Sequence, residues 1–287
     1  MKKRFALLTV DLEDYRRQTL RDDLGGSPPP NPDEVERQLD MLLEAFSQIS
    51  ARATFFSVGR LARELRSSVW SQITSTHELG CHGDEHERVK QQGPQRFRDD
   101  LRRAKDALEQ CAGVAVSSYR APYFSSDGCD PWFGEELADA GFLFDSSRRI
   151  GLPPRGFGGT LDLAGSSGKV REVPMPSVGV GLKRLTVIGG TYFRLLPLAA
   201  CRRLLNRAER DGFIPMVYLH PYDVDPGAAP IAYPKGSKYW AARAGERMRR
   251  AGRSSALLKL SELAREYDFS SIASLTRTAG GNCIATS

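Results

Sequence analysis

The stretch Phe5-Ala6-Leu7-Leu8-Thr9-Val10 is a near-continuous apolar run that stops at Asp11-Leu12-Glu13-Asp14-Tyr15. An unbroken run of this kind fits a strand buried on both faces, as in parallel sheets covered by helices. Three carboxylates crowded at the end of such a strand would repel one another and raise at least one pKa unless a cation sits among them. The blander reading is a polar loop leaving a strand. Alternation along an extended backbone puts Asp11 and Glu13 on one side and Asp14 on the other.

The rest of the chain alternates short apolar strands with amphipathic helices. Leu20 to Pro32 reads as a Gly/Pro-rich loop, and a helix follows it with Pro32 near its first position and Val35, Leu39, Leu42, Leu43 and Phe46 at helical spacing. Ala53 to Val58 is a strand, Leu61 to Leu65 starts a helix, and Pro94 to Cys111 is a polar amphipathic helix. Ser117 to Tyr119 is a short strand leading into Arg120-Ala121-Pro122-Tyr123-Phe124, and Phe142 to Phe144 is another, ending at Asp145. Arg148 to Gly168 is an excursion loop rich in Gly, Pro and Ser. A strand at Glu172 to Pro174 and another at Leu185 to Ile188 lead to Gly189-Gly190-Thr191-Tyr192-Phe193-Arg194, where two glycines suggest either a tight turn or a close approach of backbone to something else. Ala199 to Arg210 is a basic helix, Phe213 to Leu219 is the last core strand, and Leu257 to Tyr267 is a final helix. This pattern predicts an α/β fold with a mostly parallel sheet or barrel in one domain. The core spans about residues 5–267 of 1–287, with 270–287 as a frayed tail.

In such folds functional residues gather at the C-terminal ends of strands. Asp11, Arg120, Asp145 and His220 all follow apolar strand-like runs, and Thr76 to His86 holds three of the chain's four histidines. His82 and His86 are four apart; on a helix they would share a face and could bind one metal ion. His77 reads as a strand-flanking residue and Cys81 as a small core residue. Two imidazoles and one carboxylate make a site with open positions, suited to zinc or another divalent metal such as Co²⁺, Ni²⁺ or Mn²⁺. Asp11 could take a proton from a water there, Arg120 could hold Asp11 ionised, and His220 could protonate a leaving group. Together these make a hydrolase of an amide or ester.

The order D-x-E-D, H-x-x-x-H, R-x-P-Y, a lone Asp and L-x-H resembles the polysaccharide deacetylases of carbohydrate esterase family four. The likeness covers Phe5 to Pro226. It is narrower to a subgroup linked to exopolysaccharide and O-antigen clusters, which shares the Thr9-to-Tyr15 segment, the Gly189-to-Pro197 block and the Tyr218-to-Tyr222 run. The resemblance implies a distorted (β/α) barrel with about seven strands rather than a full eight. It implies metal-dependent removal of acetyl from an N-acetylated sugar, with Asp11 as base, His82 and His86 as metal ligands, Arg120 orienting the base and His220 as acid. Tyr123 falls where a backbone N–H helps bind the oxyanion, and Asp145 falls as the buried partner of His220.

Two departures alter details. One residue more separates the acidic positions of the first motif, so the third ligand is Glu13 or Asp14. The tryptophan that follows the fourth-motif Asp in the family is missing from Asp145-Ser146-Ser147-Arg148-Arg149, so Tyr192, Phe193 or Tyr222 would supply the surface on which a sugar stacks. Arg194 could hold a phosphate or carboxylate on the substrate, or be a surface arginine.

The net charge of +6, from 41 basic and 35 acidic residues, is a mild surplus without basic–aromatic interleaving. It argues against nucleic acid and is compatible with an anionic substrate or with peripheral contact at an acidic membrane surface. The apolar run after Lys2-Lys3-Arg4 is too short for a signal peptide. With five scattered cysteines, the expectation is a cytoplasmic enzyme of lipopolysaccharide or exopolysaccharide biosynthesis acting on a nucleotide-linked or lipid-linked sugar. The alternatives are a hydrolase of another small amide on the same fold and a non-catalytic glycan-binding relic.

Overall fold

β1 (Arg4–Leu12) is the strand to which the rest of the sheet attaches. A computed structural model describes residues 2–26, 28–151, 159–180, 183–186, 188–236, 239–277 and 283–285. β2 (Thr54–Ser57), β3 (Glu78–Cys81), β4 (Ser118–Tyr119) and β5 (Phe144–Asp145) follow β1 outward, each parallel to the last. β6 (Arg149–Gly151) leaves for a small second sheet, while β7 (Leu161–Asp162) and β8 (Arg171–Glu172) extend the main one, β8 parallel to β5 and β7 antiparallel to β8. β9 (Met175–Val180) and β10 (Lys183–Thr186) complete the small sheet. β11 (Met216–Leu219) lies on the other edge of β1, and β12 (Tyr267–Ser270) pairs with Arg4 to Leu7 of β1. β13 (Leu275–Arg277) and β14 (Cys283–Ala285) form a terminal hairpin.

The main sheet is a curled half barrel in the order β11-β1-β2-β3-β4-β5-β8-β7, and seven successive members, β11 to β8, run parallel. The expected distorted barrel of about seven strands is therefore present. An isolated bridge from Gly159 to Phe213 links the two open edges.

Strand alternation sorts β1 into two layers. Ala6, Leu8, Val10 and Leu12 join the core between sheet and helices, while Leu7 joins the barrel interior with Phe56, Phe124, Phe144 and Met216. Thr9 and Asp11 share the parity of Leu7, so they too point into the barrel. The helices α1 (Tyr15–Leu24), α2 (Pro32–Gln48), α3 (Gly59–Glu64), α4 (Ser67–Thr74), α5 (Val89–Ala112) and α6 (Trp132–Asp139) alternate with these strands. α7 (Gly190–Leu195), α8 (Leu198–Arg210), α9 (Trp240–Arg250) and α10 (Arg253–Leu263) flank β11 in the chain. α2 starts with Pro32 and buries Val35, Leu39, Leu42 and Phe46, as its periodicity requires. Full burial of each such side chain contributes about 1.5–3 kcal/mol.

Several expectations need correction. Leu20 to Leu24 is not loop but the end of α1, because Asp14 caps that helix. α5 begins at Val89, with a kink where Gly93 takes φ +74°. Tyr267 to Ser270 is a strand, not a helix end or a frayed tail. β1 is longer than β2, so the free edge at Arg4 to Leu7 accepts β12, and Ile272 and Leu275 close the interior below it. Residues 278–282 and 286–287 of the expected tail, and 152–158 of the expected excursion loop, lie outside the described residues. α9 is a further helix that the sequence reading leaves unassigned.

Candidate active site

Arg120 follows β4 into the barrel and is fully buried. One Nη donates to Asp11 Oδ1 at 2.8 Å and to Thr9 Oγ1 at 2.9 Å; Nε donates to Ser146 O at 3.1 Å and the other Nη to Ser146 Oγ at 3.0 Å. The guanidinium lies over the Phe56 ring, 4.3 Å from its centroid. This network fixes Oδ1 of Asp11 and leaves Oδ2 facing His82 Nε2 at 3.9 Å.

His82 and His86 do not share a helix face. β3 ends at Cys81, Gly83 turns the chain at φ +72°, and His86 itself sits at φ +56°. The loop nevertheless brings the two rings to 4.9 Å between centroids. Backbone anchors hold it: Gly59 N donates to Gly83 O at 2.8 Å, Asp84 N to Asp100 Oδ2 at 2.9 Å, and Arg21 to the carbonyls of Glu85 and His86 at 2.7 and 2.9 Å. A side chain at Gly83 would come within 3.1 Å of Asp100 Oδ2. His82 Nδ1 lies 2.7 Å from Arg120 O. A carbonyl only accepts, so the proton is on Nδ1 and the Nε2 lone pair faces the cavity. Burial pushes the His82 pKa down to about 4, which keeps the ring neutral.

Among the described residues, one group has metal-ligand geometry: Glu13, His82 and His86, with ligand atoms within 4.8 Å of one another. Glu13 Oε2 is 2.7 Å from His86 Nε2. Burial would raise the Glu13 pKa, but the charge and hydrogen bond of His86, with His220 and His82 beyond, bring it to about 2. Asp14 is occupied elsewhere, accepting from Arg17 N at 2.9 Å at the start of α1 and from Asn31 N at 3.0 Å. Of the two acidic alternatives, the structure therefore groups Glu13 with the histidines. A carboxylate and two imidazoles, one of them with its proton position already fixed, fit a divalent transition metal.

His220 leaves β11 opposite this group, its Nε2 3.8 Å from Glu13 Oε1. Its partner is not Asp145. His220 Nδ1 lies 3.0 Å from Asp223 Oδ2, which also accepts from His220 N at 2.8 Å. Arg194 Nε donates to the other oxygen of Asp223 at 2.6 Å. Burial alone would lower the His220 pKa, but the hydrogen bond and charge of Asp223, then Glu13 and Asp11, raise it to about 9. The signal for Asp223 was in the sequence: His220-Pro221-Tyr222-Asp223 is a Pro-led turn with an acidic residue at its third position, and it forms a capping box. Asp145 lies deeper, accepting from Ser147 Oγ, which in turn accepts from Ala121 N at 2.8 Å. It pairs with Glu172 across β5 and β8, and burial together with the Asp145 charge pushes the Glu172 carboxyl well upward.

The substrate-surface expectations are also redrawn. Arg194 is neither exposed nor in the cavity; it is buried behind His220, also donating to Thr191 Oγ1 at 3.0 Å. Tyr192 does not line the cavity, and Phe193 is in the core. The glycine pair explains why: an added Cβ at Gly189 would lie 1.9 Å from the Tyr218 ring, and Gly190, at φ +45°, packs on His220. Tyr222 does line the cavity, but its ring is packed between His220, at 4.8 Å, and Tyr15, at 4.0 Å. Tyr123 lines it as well, at φ +58°, beside Phe124 at φ +52°. Non-glycine residues in this region are costly and mark functional turns. The cavity is about 490 Å³, and Gln18 and Asp22 of α1 and Arg249 of α9 complete its wall. These three were missed because nothing local ties α1 or α9 to the strand ends.

The segment carrying His82, His86, Arg120 and Tyr123 is similar to a known family. Residues 31–129 match the polysaccharide deacetylase family. Residues 153–277, which carry Arg194, His220 and Asp223, match a domain of unknown function (DUF3473). Asp11 and Glu13 precede both matches. The chain is also similar to a bifunctional xylanase/deacetylase of Pseudobutyrivibrio xylanivorans, 29% identical over 85 residues, which are 29% of this chain and 14% of that protein. The chain thus spans about a seventh of that relative. The fold is shared with a candidate polysaccharide deacetylase from Mycobacterium smegmatis, with TM-score 0.58 and 19% identity over 94% of this chain and 88% of that one. It is shared too with the Bc1960 peptidoglycan N-acetylglucosamine deacetylase, with TM-score 0.51 and 14% identity over 95% and 88%. Residues 31–129 are thus similar to the polysaccharide deacetylase family, and the two solved structures share the fold of the chain.

Proposed function

We propose that this chain is a metal-dependent N-deacetylase of an N-acetylated sugar in cell-surface glycan biosynthesis. The observation that carries the reading is the placement of Asp11 and His220 on either side of the Glu13, His82 and His86 group in one cavity. A divalent ion held by those three residues would acidify a water and polarise the acetyl carbonyl. Asp11 accepts the proton of the attacking water at Oδ2, because Arg120 holds Oδ1. His220 delivers a proton from Nε2 to the departing amine, and Asp223 on Nδ1 fixes the tautomer that makes this possible. The backbone N–H of Tyr123 is the proposed donor to the oxyanion. Asp145 acts at a distance, through Ser147 and then the amide of Ala121, which precedes this turn.

Arg88, Arg149 and Arg249 line the same cavity, which supports a substrate carrying negative charge, such as a sugar on a phosphate-bearing carrier made inside the cell. A substrate of that kind supports the reading of the enzyme as one of the exopolysaccharide and O-antigen subgroup. The test is acetate release by zinc-loaded protein from carrier-linked N-acetyl sugars and from neutral chito-oligosaccharides. Release from the former and its loss in Asp11→Asn, with metal retained, is the expected result. Full release by Asp11→Asn would remove the assigned base, and activity confined to the neutral chains would remove the assigned substrate.

A further inference from the structure

The two faces of α9 have opposite character. The inward face belongs to the cavity wall: Tyr15 Oη donates to Glu246 Oε2 at 2.6 Å, and Arg249 Nε donates to Tyr15 Oη at 2.7 Å. The outward face presents apolar side chains and arginines to solvent. Trp240 is 68% exposed and Met248 55%, and Ala244 and Ala251 are exposed with them. Positions 240, 244, 248 and 251 fall on one stripe at helical spacing. Arg243, Arg247 and Arg250 run along one flank of that stripe. Among the described residues none of the three pairs with a carboxylate; Arg243 and Arg250 donate only to carbonyls, of Pro234, Gly236 and Ala228. The helix has one acidic residue, Glu246, and it is buried.

We propose that the outward face of α9 docks on an anionic lipid surface. An exposed Trp beside a row of arginines that have no carboxylate partner among the described residues suits the boundary between headgroups and acyl chains, where an indole anchors and cations meet lipid phosphate. The apolar stripe is narrow, so charge and apolar contact are both required, and neutral lipid does not suffice. A second copy is a poor occupant, since a two-fold contact would set the same arginines against one another. Nucleic acid would meet the charge but leave Trp240 and Met248 without an apolar environment. Docking here brings the cavity wall at Tyr15 and Arg249, and hence the cavity, next to the membrane. The surface stands independently of the deacetylase reading.

The test uses the full chain with vesicles of phosphatidylcholine alone and of phosphatidylcholine mixed with phosphatidylglycerol. Sedimentation with the mixed vesicles only, release by added salt, and a blue shift of fluorescence that disappears in Trp240→Ala are expected. Arg247→Glu, which breaks no side-chain hydrogen bond or ion pair among the described residues, lowers partitioning by about tenfold or more while the thermal midpoint stays constant. Equal binding to neutral vesicles, or undiminished binding by Arg247→Glu, overturns the proposal. So does a dimer in the absence of lipid that Trp240→Ala dissociates, or binding to DNA with none to either vesicle.

Discussion

Asp223 holds His220 on one carboxylate oxygen and Arg194 on the other. All three lie outside the segment that matches the deacetylase family, in the region whose family has no assigned function. The arrangement makes Asp223 the residue that keeps the His220 proton donor aimed into the cavity. Asp223→Asn is expected to lower kcat for deacetylation by about two to four orders of magnitude, the range of a lost acid–base contribution, with bound metal unchanged. Single-turnover acetate release with metal analysis of the same sample checks both halves.

Asp145→Asn separates the two aspartates. Because Asp145 contacts Ser147 and Glu172 rather than His220, this variant is expected to keep kcat within about tenfold while losing about 1–3 kcal/mol of stability from the buried network. Denaturant unfolding beside steady-state kinetics makes the comparison. A collapse of kcat as deep as that of Asp223→Asn would return Asp145 to the acid.

Glu13 and Asp14 are neighbours with different duties. Glu13→Ala is expected to abolish stoichiometric zinc binding in the folded protein. Asp14→Ala should retain the metal and lower stability by about 1 kcal/mol, the typical value of a helix cap. Metal content after gel filtration and the thermal midpoint of each variant distinguish them.

His77 supplies a pH dependence remote from the site. Burial against Phe46 and Phe55, then the charge of Arg52, lowers its pKa from 6.5 to about 4. The unfolded chain binds a proton that the folded chain refuses. Stability from this group is therefore whole above pH 6.5 and is lost as the pH falls toward 4. With the ring partly exposed, the loss is about 1–2 kcal/mol. Urea unfolding at several pH values should give a shallower acid slope for His77→Gln than for the parent protein.

The part of the fold legible in the sequence is the part written in local periodicity. The apolar run of β1, the strand before Arg120, the strand before His220 and the alternating helices all appear where period and composition place them. The same holds for Asp11 and Glu13 sharing a side, since a strand's period of two carries past its end. β12 was not legible because a short strand with polar residues becomes a strand only when a free edge of β1 accepts it. α1 was hidden by its polar sequence, which depends on the Asp14 cap more than on an apolar face.

The sequence by itself determined which residue types are available at each strand end, and therefore that a metal with a base and an acid was the economical reading. Only the tertiary structure decided which of them meet. The histidines converge through a loop held by Asp100 and Arg21 instead of a helix turn, Asp14 turns away to cap α1, and Asp223 takes the place expected of Asp145. The reason is physical. Spacing constrains directions over a few residues, whereas hydrogen-bond partners are chosen by distance across the barrel, and two aspartates equally suited in sequence differ only in which one the fold sets 3.0 Å from an imidazole nitrogen.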